Sequence, residues 1–108
     1  MATTFNHSAT VVAGTSRTLL YGPVPVGQSV IVFAGLLANI DNANMVHHAA
    51  TLETYNGTTY GMKLNKIPIP YGSSSMIPKM VLLPGESLYV TSDFANGIAA
   101  SVEILVMQ

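Results

Sequence analysis

Cysteine and tryptophan are absent from this chain of 108 residues. The lack of cysteine excludes a disulfide framework and thiolate metal sites. Charged residues are scarce as well, at 8% of the sequence, where roughly a quarter is typical. Hydrophobic residues make up 49% and the formal net charge is −1, so the chain lacks the low hydrophobicity and high net charge that mark disorder. We therefore expect it to fold.

The scarcity of charge bears on the partners of the protein. A soluble monomer normally carries many charged side chains on its surface, whereas this chain has four basic and five acidic residues. We therefore predict an oligomer or a component of a protein lattice, with a weakly charged monomer as the alternative. The basic residues are scattered along the sequence, so there is no positive footprint for nucleic acid and we expect none to bind.

Long hydrophobic runs are also missing. The longest apolar run, residues 30–38, has about half the length that a membrane span requires. Residues 1–5 lack the basic start and apolar core of a signal peptide. We expect no membrane partner, and synthesis in a cytoplasm without export by that route.

Turn signals recur along the sequence and separate short apolar runs. Asn56-Gly57 is the strongest of them, because a type I′ hairpin turn needs positive φ at both central residues. Pro84-Gly85 marks another turn. Roughly seven or eight strand-like runs result, spaced about a dozen residues apart. This pattern predicts one all-β domain over residues 1–108, an antiparallel β-sandwich or barrel-like fold, with residues 1–9 as a candidate extended N-terminal arm.

The most hydrophobic segment, residues 29–40, does not alternate between apolar and polar residues. As a strand it would place its even-numbered residues on one face and Ile31, Phe33 and Leu37 on the other, so both faces need cover. A buried helix is the alternative. The β-branched start and Gly35 favour a strand, with a bulge expected at Gly35. The second face should meet a partner subunit or a loop, which makes Phe33 and Leu37 candidate contact residues.

Three prolines make residues 67–83 unsuitable for the centre of a sheet, because proline has no amide to donate to the ladder. We expect residues 76–83 to form one edge strand that carries Pro78. Tyr71 and Met76 lie beside this edge and are further contact candidates. An edge that is incompletely paired within its own subunit is a suitable place for another subunit to bind.

Catalytic and metal-binding constellations cannot be assembled from the sequence. The adjacent His47 and His48 should point to opposite faces of a strand and so cannot share one metal ion. We expect one to be exposed and the other to lie at a subunit contact, where its titration could make assembly pH-dependent. The five carboxylates should be solvated or stabilise turns. We predict no enzyme, no cofactor and no metal, with a small hydrolase that uses Glu53 or Glu103 as an alternative.

The five tyrosines are spread over different predicted strands. A buried tyrosine ring with a solvated hydroxyl is typical of protein interfaces, which is the interpretation we favour. A carbohydrate-binding β-sandwich module is an alternative, but it needs aromatic rings on one face, and strand parity does not bring the tyrosines together.

Three segments of the sequence resemble known proteins: Tyr21-Gly22-Pro23-Val24-Pro25-Val26-Gly27, Ile67-Pro68-Ile69-Pro70-Tyr71-Gly72 and Leu83-Pro84-Gly85-Glu86-Ser87-Leu88. In this order, and over most of residues 17–107, they resemble segments of small virion proteins of tailed bacteriophages. The third segment is a turn that is frequent in β-rich virion modules of several kinds. The resemblance therefore indicates that the protein belongs to a virion, but it indicates less clearly which part of the virion.

The resemblance implies a non-enzymatic structural protein, made in the host cytoplasm and present in many copies in the virion. We expect a capsid decoration or cement protein that binds the lattice of the major capsid protein and stabilises the head, as a trimer by default. A neck, tail or baseplate component is the alternative. The expected contact residues are apolar and aromatic side chains at loops and edges: Phe5, Tyr21, Phe33, Leu37, Tyr71, Met76 and Phe94.

Overall fold

The computed structural model describes residues 4–107, with side chains from His7 onward. This part of the chain forms two antiparallel sheets, which confirms the predicted all-β antiparallel sandwich. The strands are β1 (Thr4–Val12), β2 (Thr18–Tyr21), β3 (Ser29–Asn39), β4 (His48–Tyr55), β5 (Tyr60–Ile69), β6 (Ser74–Met76), β7 (Met80–Leu82), β8 (Ser87–Ser92) and β9 (Ile98–Met107). Within residues 4–107 no helix is long and apolar enough to cross a membrane.

Sheet 1 has the strand order β1-β9-β3, and β6 and β7 pair one after the other with the free side of β3. Sheet 2 has the order β2-β8-β4-β5. Alternate side chains of both sheets point inward and form one apolar core. Its buried residues include Leu20, Val30, Val32, Leu37, Leu52, Ile69, Leu82, Leu88, Val90, Ile98, Val102, Ile104 and Val106.

β1 includes residues for which the sequence suggested an extended arm. Every residue from Thr4 to Val12 has a partner on β9, without a shift in register. From Thr4 onward this stretch is therefore a strand of sheet 1 rather than an arm.

A β-bulge at Phe33 reverses the side-chain parity of β3. Phe33 has no partner on β9, whereas the residues on either side of it are paired. Because an extra residue exchanges the two faces of a strand, Leu37 points into the core and is 0% exposed, while Phe33 is 40% exposed. The prediction that placed the bulge at Gly35 and Leu37 on the contact face is wrong, because the extra residue comes two positions earlier.

Gly35 allows the edge of sheet 1 to pack closely on β3. The amide of Ile77 donates to the carbonyl oxygen of Gly35 at 2.9 Å, and the Ile77 side chain is buried. A Cβ on Gly35 would lie 3.0 Å from Ile77 Cβ and 2.8 Å from the carbonyl oxygen of Ser101. The glycine is therefore required by close packing.

We expect Gly35→Ala to lower the free energy of unfolding by about 1–3 kcal/mol, because the added methyl group overpacks a well-filled site. Urea denaturation measures this change. Gly14→Ala is the matched control, since the nearest atom to its added Cβ would be Thr18 Oγ1 at an ordinary 3.4 Å. Equal stability of the two variants would contradict the packing role of Gly35.

Residues 76–83 do not form the one strand that the sequence predicted: they contain only the last residue of β6 and all of β7. Pro78 lies in the interruption, where its missing amide breaks no ladder bond. The predicted edge position is confirmed, because β6 and β7 lie at the edge of sheet 1 and β5, which contains Pro68, lies at the edge of sheet 2.

Candidate docking surface

The outer face of sheet 1 carries large apolar side chains that the described part of the chain leaves uncovered. We name it the sheet 1 patch and define it by five residues that are 40–77% exposed: Val12, Phe33, Leu36, Met76 and Val81. Leu36 and Met76 are paired directly across β3 and β6, so their side chains are neighbours on this face. Exposed apolar side chains grouped on one face of a sheet are a feature of interaction sites.

Electrostatics add to the apolar character of the sheet 1 patch. Within the five strands of sheet 1, Glu103 on β9 is the only Asp, Glu, Lys or Arg. It is exposed on the outer face and is paired with Ala34 on one side and Ser8 on the other. When another protein binds to this face, few charges lose their contact with water. The free-energy cost of desolvating the face is therefore low.

The structure separates the predicted contact residues. Phe33 and Met76 belong to the sheet 1 patch, whereas Leu37 belongs to the core and is not available for contact in the folded chain. The side chain of Phe5 lies outside the described part of the structure, so its predicted contact role stays a prediction.

The other three predicted contact residues lie at the ends of the sandwich. Tyr71 is exposed in the turn between β5 and β6. Phe94 is exposed in the loop between β8 and β9, at the same end as Tyr71. Tyr21 ends β2 at the opposite end, with its ring 6.3 Å from that of His7, and burial raises its pKa. The two ends of the sandwich, one with Tyr71 and Phe94 and the other with Tyr21, are therefore candidate contact regions besides the sheet 1 patch.

A polar cluster around the buried His48 orders the end of the sandwich that carries Phe94. His48 Nε2 lies 2.7 Å from Asp41 Oδ2, and His48 Nδ1 lies 3.3 Å from Asp93 Oδ1. Phe94 stacks on the His48 ring at 5.0 Å, and a Cβ on Gly97 would lie 2.7 Å from the ring. The cluster thus holds the loop that presents Phe94.

His48 corrects one prediction about the histidine pair. His47 is exposed, but His48 is buried against residues of its own chain, so it is not a subunit contact. The described residues contain no group of three or more His, Asp or Glu side chains that could hold a metal ion.

Asn39, the last residue of β3, connects the loop between β3 and β4 to the end of β5 at the same end of the sandwich. Its Nδ2 donates to the carbonyl oxygens of Val46 and Ile69, each at 2.9 Å, and its Oδ1 accepts from the amide of Asp41 at 3.0 Å. Sequence reasoning assigned Asn39 no role. Its partners are up to 30 residues away in sequence, so no local pattern could have indicated it.

The environment of Asp41 indicates that part of the free energy of unfolding is lost in acid. Hydrogen bonds from Asn44 and from His48 lower the pKa of its carboxyl from 3.8 to about 2. The unfolded chain therefore binds more protons than the folded chain between these values, so stability falls as the pH falls from 4 towards 2. We expect Asp41→Asn to flatten this part of the pH profile in urea titrations and to lower stability at neutral pH. An unchanged slope between pH 4 and pH 2 would contradict this role.

Three tyrosines form a cluster on the outer face of sheet 2. The rings of Tyr55 and Tyr60 stack at 4.3 Å, and Tyr89 meets them edge-on at 6.2 and 6.1 Å. The prediction that strand parity keeps the tyrosines apart is wrong, because β5 and β8 pair with opposite sides of β4 and place all three rings on one face.

Arg17 joins this tyrosine cluster to a buried carboxylate. Its Nε donates to Glu53 Oε1 at 3.0 Å and its Nη2 donates to Oε2 at 3.1 Å. The hydrogen bond with Glu53 raises the pKa of Arg17, whose guanidinium also lies 3.6 Å from the centroid of the Tyr60 ring. Tyr60 is therefore already in close contact with both Arg17 and Tyr55, which counts against stacking on a sugar.

The outer face of sheet 2 also contains an open concavity of about 570 Å³ beside Arg17, Glu53 and Tyr60. Threonine and serine side chains line the rest of it: Thr15, Ser16, Thr51 and Thr91. Glu53 lies on this face, whereas Glu103 lies on the outer face of sheet 1. The two carboxylates proposed for a hydrolase are thus on opposite sides of the sandwich and cannot flank one bond.

The chain is similar in fold to solved structures of assembled proteins. One belongs to the disulfide-linked pili of Bacillus endospore appendages, with a TM-score of 0.57 and 12% identity over 98% of this chain and 86% of that one. Another belongs to the acid-stable capsid of Helicobacter pylori bacteriophage KHP30, with a TM-score of 0.58 and 12% identity over 100% of this chain and 94% of that one. At these identities the likeness shows the fold alone.

A pentameric capsid protein from metagenomic phage sequences is 20% identical over 97% of this chain and 60% of its own length. Its TM-score of 0.42 is too low to support an argument. The sequence matches no protein-family model and no curated protein.

Proposed function

We propose that this protein is a non-enzymatic structural component of a virus particle and that it binds other virion proteins through the sheet 1 patch. The observation that carries the proposal is this apolar face of β1, β3, β6, β7 and β9 with its single carboxylate. A face of this kind is suited to a repeated protein contact, and its side chains do not form a catalytic group. The fold shared with a chain of a phage capsid supports the same conclusion, as does the resemblance of the sequence to small phage virion proteins.

Within the virion we propose a capsid decoration or cement role, with the lattice of the major capsid protein as the partner. The absence of cysteine favours the capsid comparison over the pilus one, because disulfide-linked pili need thiols that this chain does not have. The protein binds the lattice in several copies, and the trimer that the resemblance implies is one arrangement of them, with pairs of copies as the other. A neck, tail or baseplate position is the alternative, since the same patch would serve there.

A cement protein stabilises a shell by mass action, because it binds the assembled lattice and not the separated subunits. The sheet 1 patch supplies the apolar contact area for this binding. Tyr71 and Phe94, exposed at one end of the sandwich, are our candidates for contact with a second subunit across a lattice junction. Such a bridge would resist the separation of neighbouring subunits.

The experiment that tests the proposal adds the purified protein to phage heads that lack it. We expect the temperature of head disruption to rise with protein concentration until the sites are filled. A patch variant at the same concentration is the control and should leave the temperature unchanged. If wild-type protein neither cosediments with heads nor changes their thermal stability, the decoration role is wrong.

Carbohydrate binding is the second candidate function, favoured by the open concavity beside Arg17, Glu53 and Tyr60 on sheet 2. Its hydroxyl-rich lining suits a neutral polyhydroxylated ligand. The contacts of Tyr60 with Arg17 and Tyr55 count against stacking on a sugar. Binding on a glycan array that is lost in Thr51→Val and kept in Leu36→Glu would establish this function, and an array without any bound glycan would exclude it.

A further inference from the structure

The four sheet edges of this protein differ in how they are protected against pairing with another chain. Native proteins protect exposed edges with lysine, proline, bulges or short strands. β5 carries Lys63, Lys66 and Pro68, and its pairing with β4 has two shifts in register. Its neighbours across the sandwich, β6 and β7, are three residues long each, and Pro78 and Lys79 lie between them.

The opposite side of the sandwich carries the edges β2 and β1. β2 is four residues long and has a bulge between Leu19 and Tyr21. β1 is nine residues long, contains no proline and no Asp, Glu, Lys or Arg, and keeps one register along its whole length. Within residues 4–107 no strand pairs with its outer side. All three lysines of the chain are thus on the far side of the sandwich, and the longest unprotected edge is β1.

We propose that β1 is a strand-pairing site for a second copy of this chain, and that two copies join β1 to β1 in antiparallel orientation around a two-fold axis. An edge strand with free amides and carbonyls pairs most readily with an edge that is also unprotected. Among the described strands of this chain only β1 meets that condition over more than four residues. We therefore expect β1 to pair with β1 of the second copy rather than with its β5, β6 or β7.

The register that pairs the most residues is centred on Ser8, the middle residue of β1. It places Ser8 opposite its symmetry mate and Thr4 opposite Val12, so that all nine residues take part. The axis runs perpendicular to the sheet, so both copies keep the same face outward. The two sheet 1 patches then lie side by side on one continuous sheet, which doubles the apolar surface presented to a lattice.

Single cysteines test this register, because the natural sequence has none. Directly opposite residues of antiparallel strands have Cα atoms about 4.5–5.5 Å apart, within the range of a disulfide. Ser8→Cys should therefore form a cross-linked dimer under mild oxidation. Thr10→Cys is the matched control, exposed on the same face of β1, but its symmetry mate would be about 13 Å away along the strand. A cross-link in both variants, or in neither, would overturn the proposed pairing.

Charge substitutions test the dimer without any cross-link. We expect light scattering to give the mass of two copies for the wild type and of one copy for Ser8→Glu, since two glutamates would face each other across the axis, each beside Glu103 of its own copy. Ser74→Glu, on β6 at the far edge, should keep two copies, and thermal unfolding confirms that both variants are folded. A wild-type mass of one or three copies, or an association that survives Ser8→Glu and is lost in Leu36→Glu, would overturn the proposal. The pairing is measured on the isolated protein, so its failure leaves binding to heads as a separate question.

Discussion

Replacing Leu36 with glutamate should weaken binding to the virion lattice by roughly 100-fold or more. Leu36 lies in the middle of the sheet 1 patch, beside Met76. A charge buried in an apolar contact without a partner costs about 3 kcal/mol or more, which corresponds to at least about two orders of magnitude in affinity. Cosedimentation of the variant with heads that lack the protein, over a range of concentrations, measures the loss.

Leu19→Glu is the matched control for this experiment. Leu19 is 44% exposed and Leu36 is 45% exposed, so the same substitution introduces the same charge at nearly the same exposure. Leu19 is paired with Tyr89 on sheet 2, on the opposite outer face of the sandwich. We expect this variant to bind like the wild type. Equal losses in both variants would mean that the sheet 1 patch has no special role.

The second large effect is expected at Leu37, where alanine should lower the free energy of unfolding by about 2–5 kcal/mol. The side chain is fully buried between the sheets, so its truncation leaves a cavity lined by core residues. Urea denaturation followed by circular dichroism measures the change. The variant should bind heads normally under conditions where it is folded.

Phe33→Ala completes this comparison, because Phe33 is the bulged residue on the outer face of the same strand. We expect a small change in stability and a clear loss of head binding. The opposite outcome, with stability lost at Phe33 and binding lost at Leu37, would mean that the parity of β3 is not the one described. The pair therefore tests the bulge as well as the docking face.

The hairpin between β4 and β5 shows what local sequence can predict. Asn56-Gly57 indicated a reversal of the chain, and Tyr55 and Tyr60 are indeed paired across it. The predicted two-residue type I′ turn is wrong, because residues 56–59 form the loop and only Gly57 among them has positive φ. Asn56 Oδ1 accepts from the amides of Thr58 and Thr59 at 2.9 and 2.8 Å, an Asx contact that favours the longer loop.

β3 shows why strand parity could not be predicted. Apolar side chains occupy both faces of residues 29–40, so the sequence carries no alternation that could reveal an extra residue. The bulge at Phe33 depends on how β3 pairs with β9, which is nearly 70 residues away in sequence. The prediction that β3 has an apolar outer face is correct for Phe33. The other residue assigned to that face, Leu37, belongs to the core.

The side-chain clusters were beyond sequence reasoning for a related reason. Asp41 lies in the loop after β3, His48 begins β4 and Asp93 follows β8. Neither carboxylate is adjacent to the histidine in sequence. The tyrosine cluster likewise combines β4, β5 and β8. Short-range patterns indicate strands and turns, whereas these clusters follow from strand order, which the sequence does not encode locally.

Electron microscopy of a purified virion tests the proposed role most directly. We expect many copies of the protein on the outer surface of the head, with the sheet 1 patch against the major capsid lattice. Copies that lie on the head with this face turned towards solvent would contradict the docking surface. A position confined to the tail would contradict the decoration role, and a virion without the protein would contradict the structural role altogether.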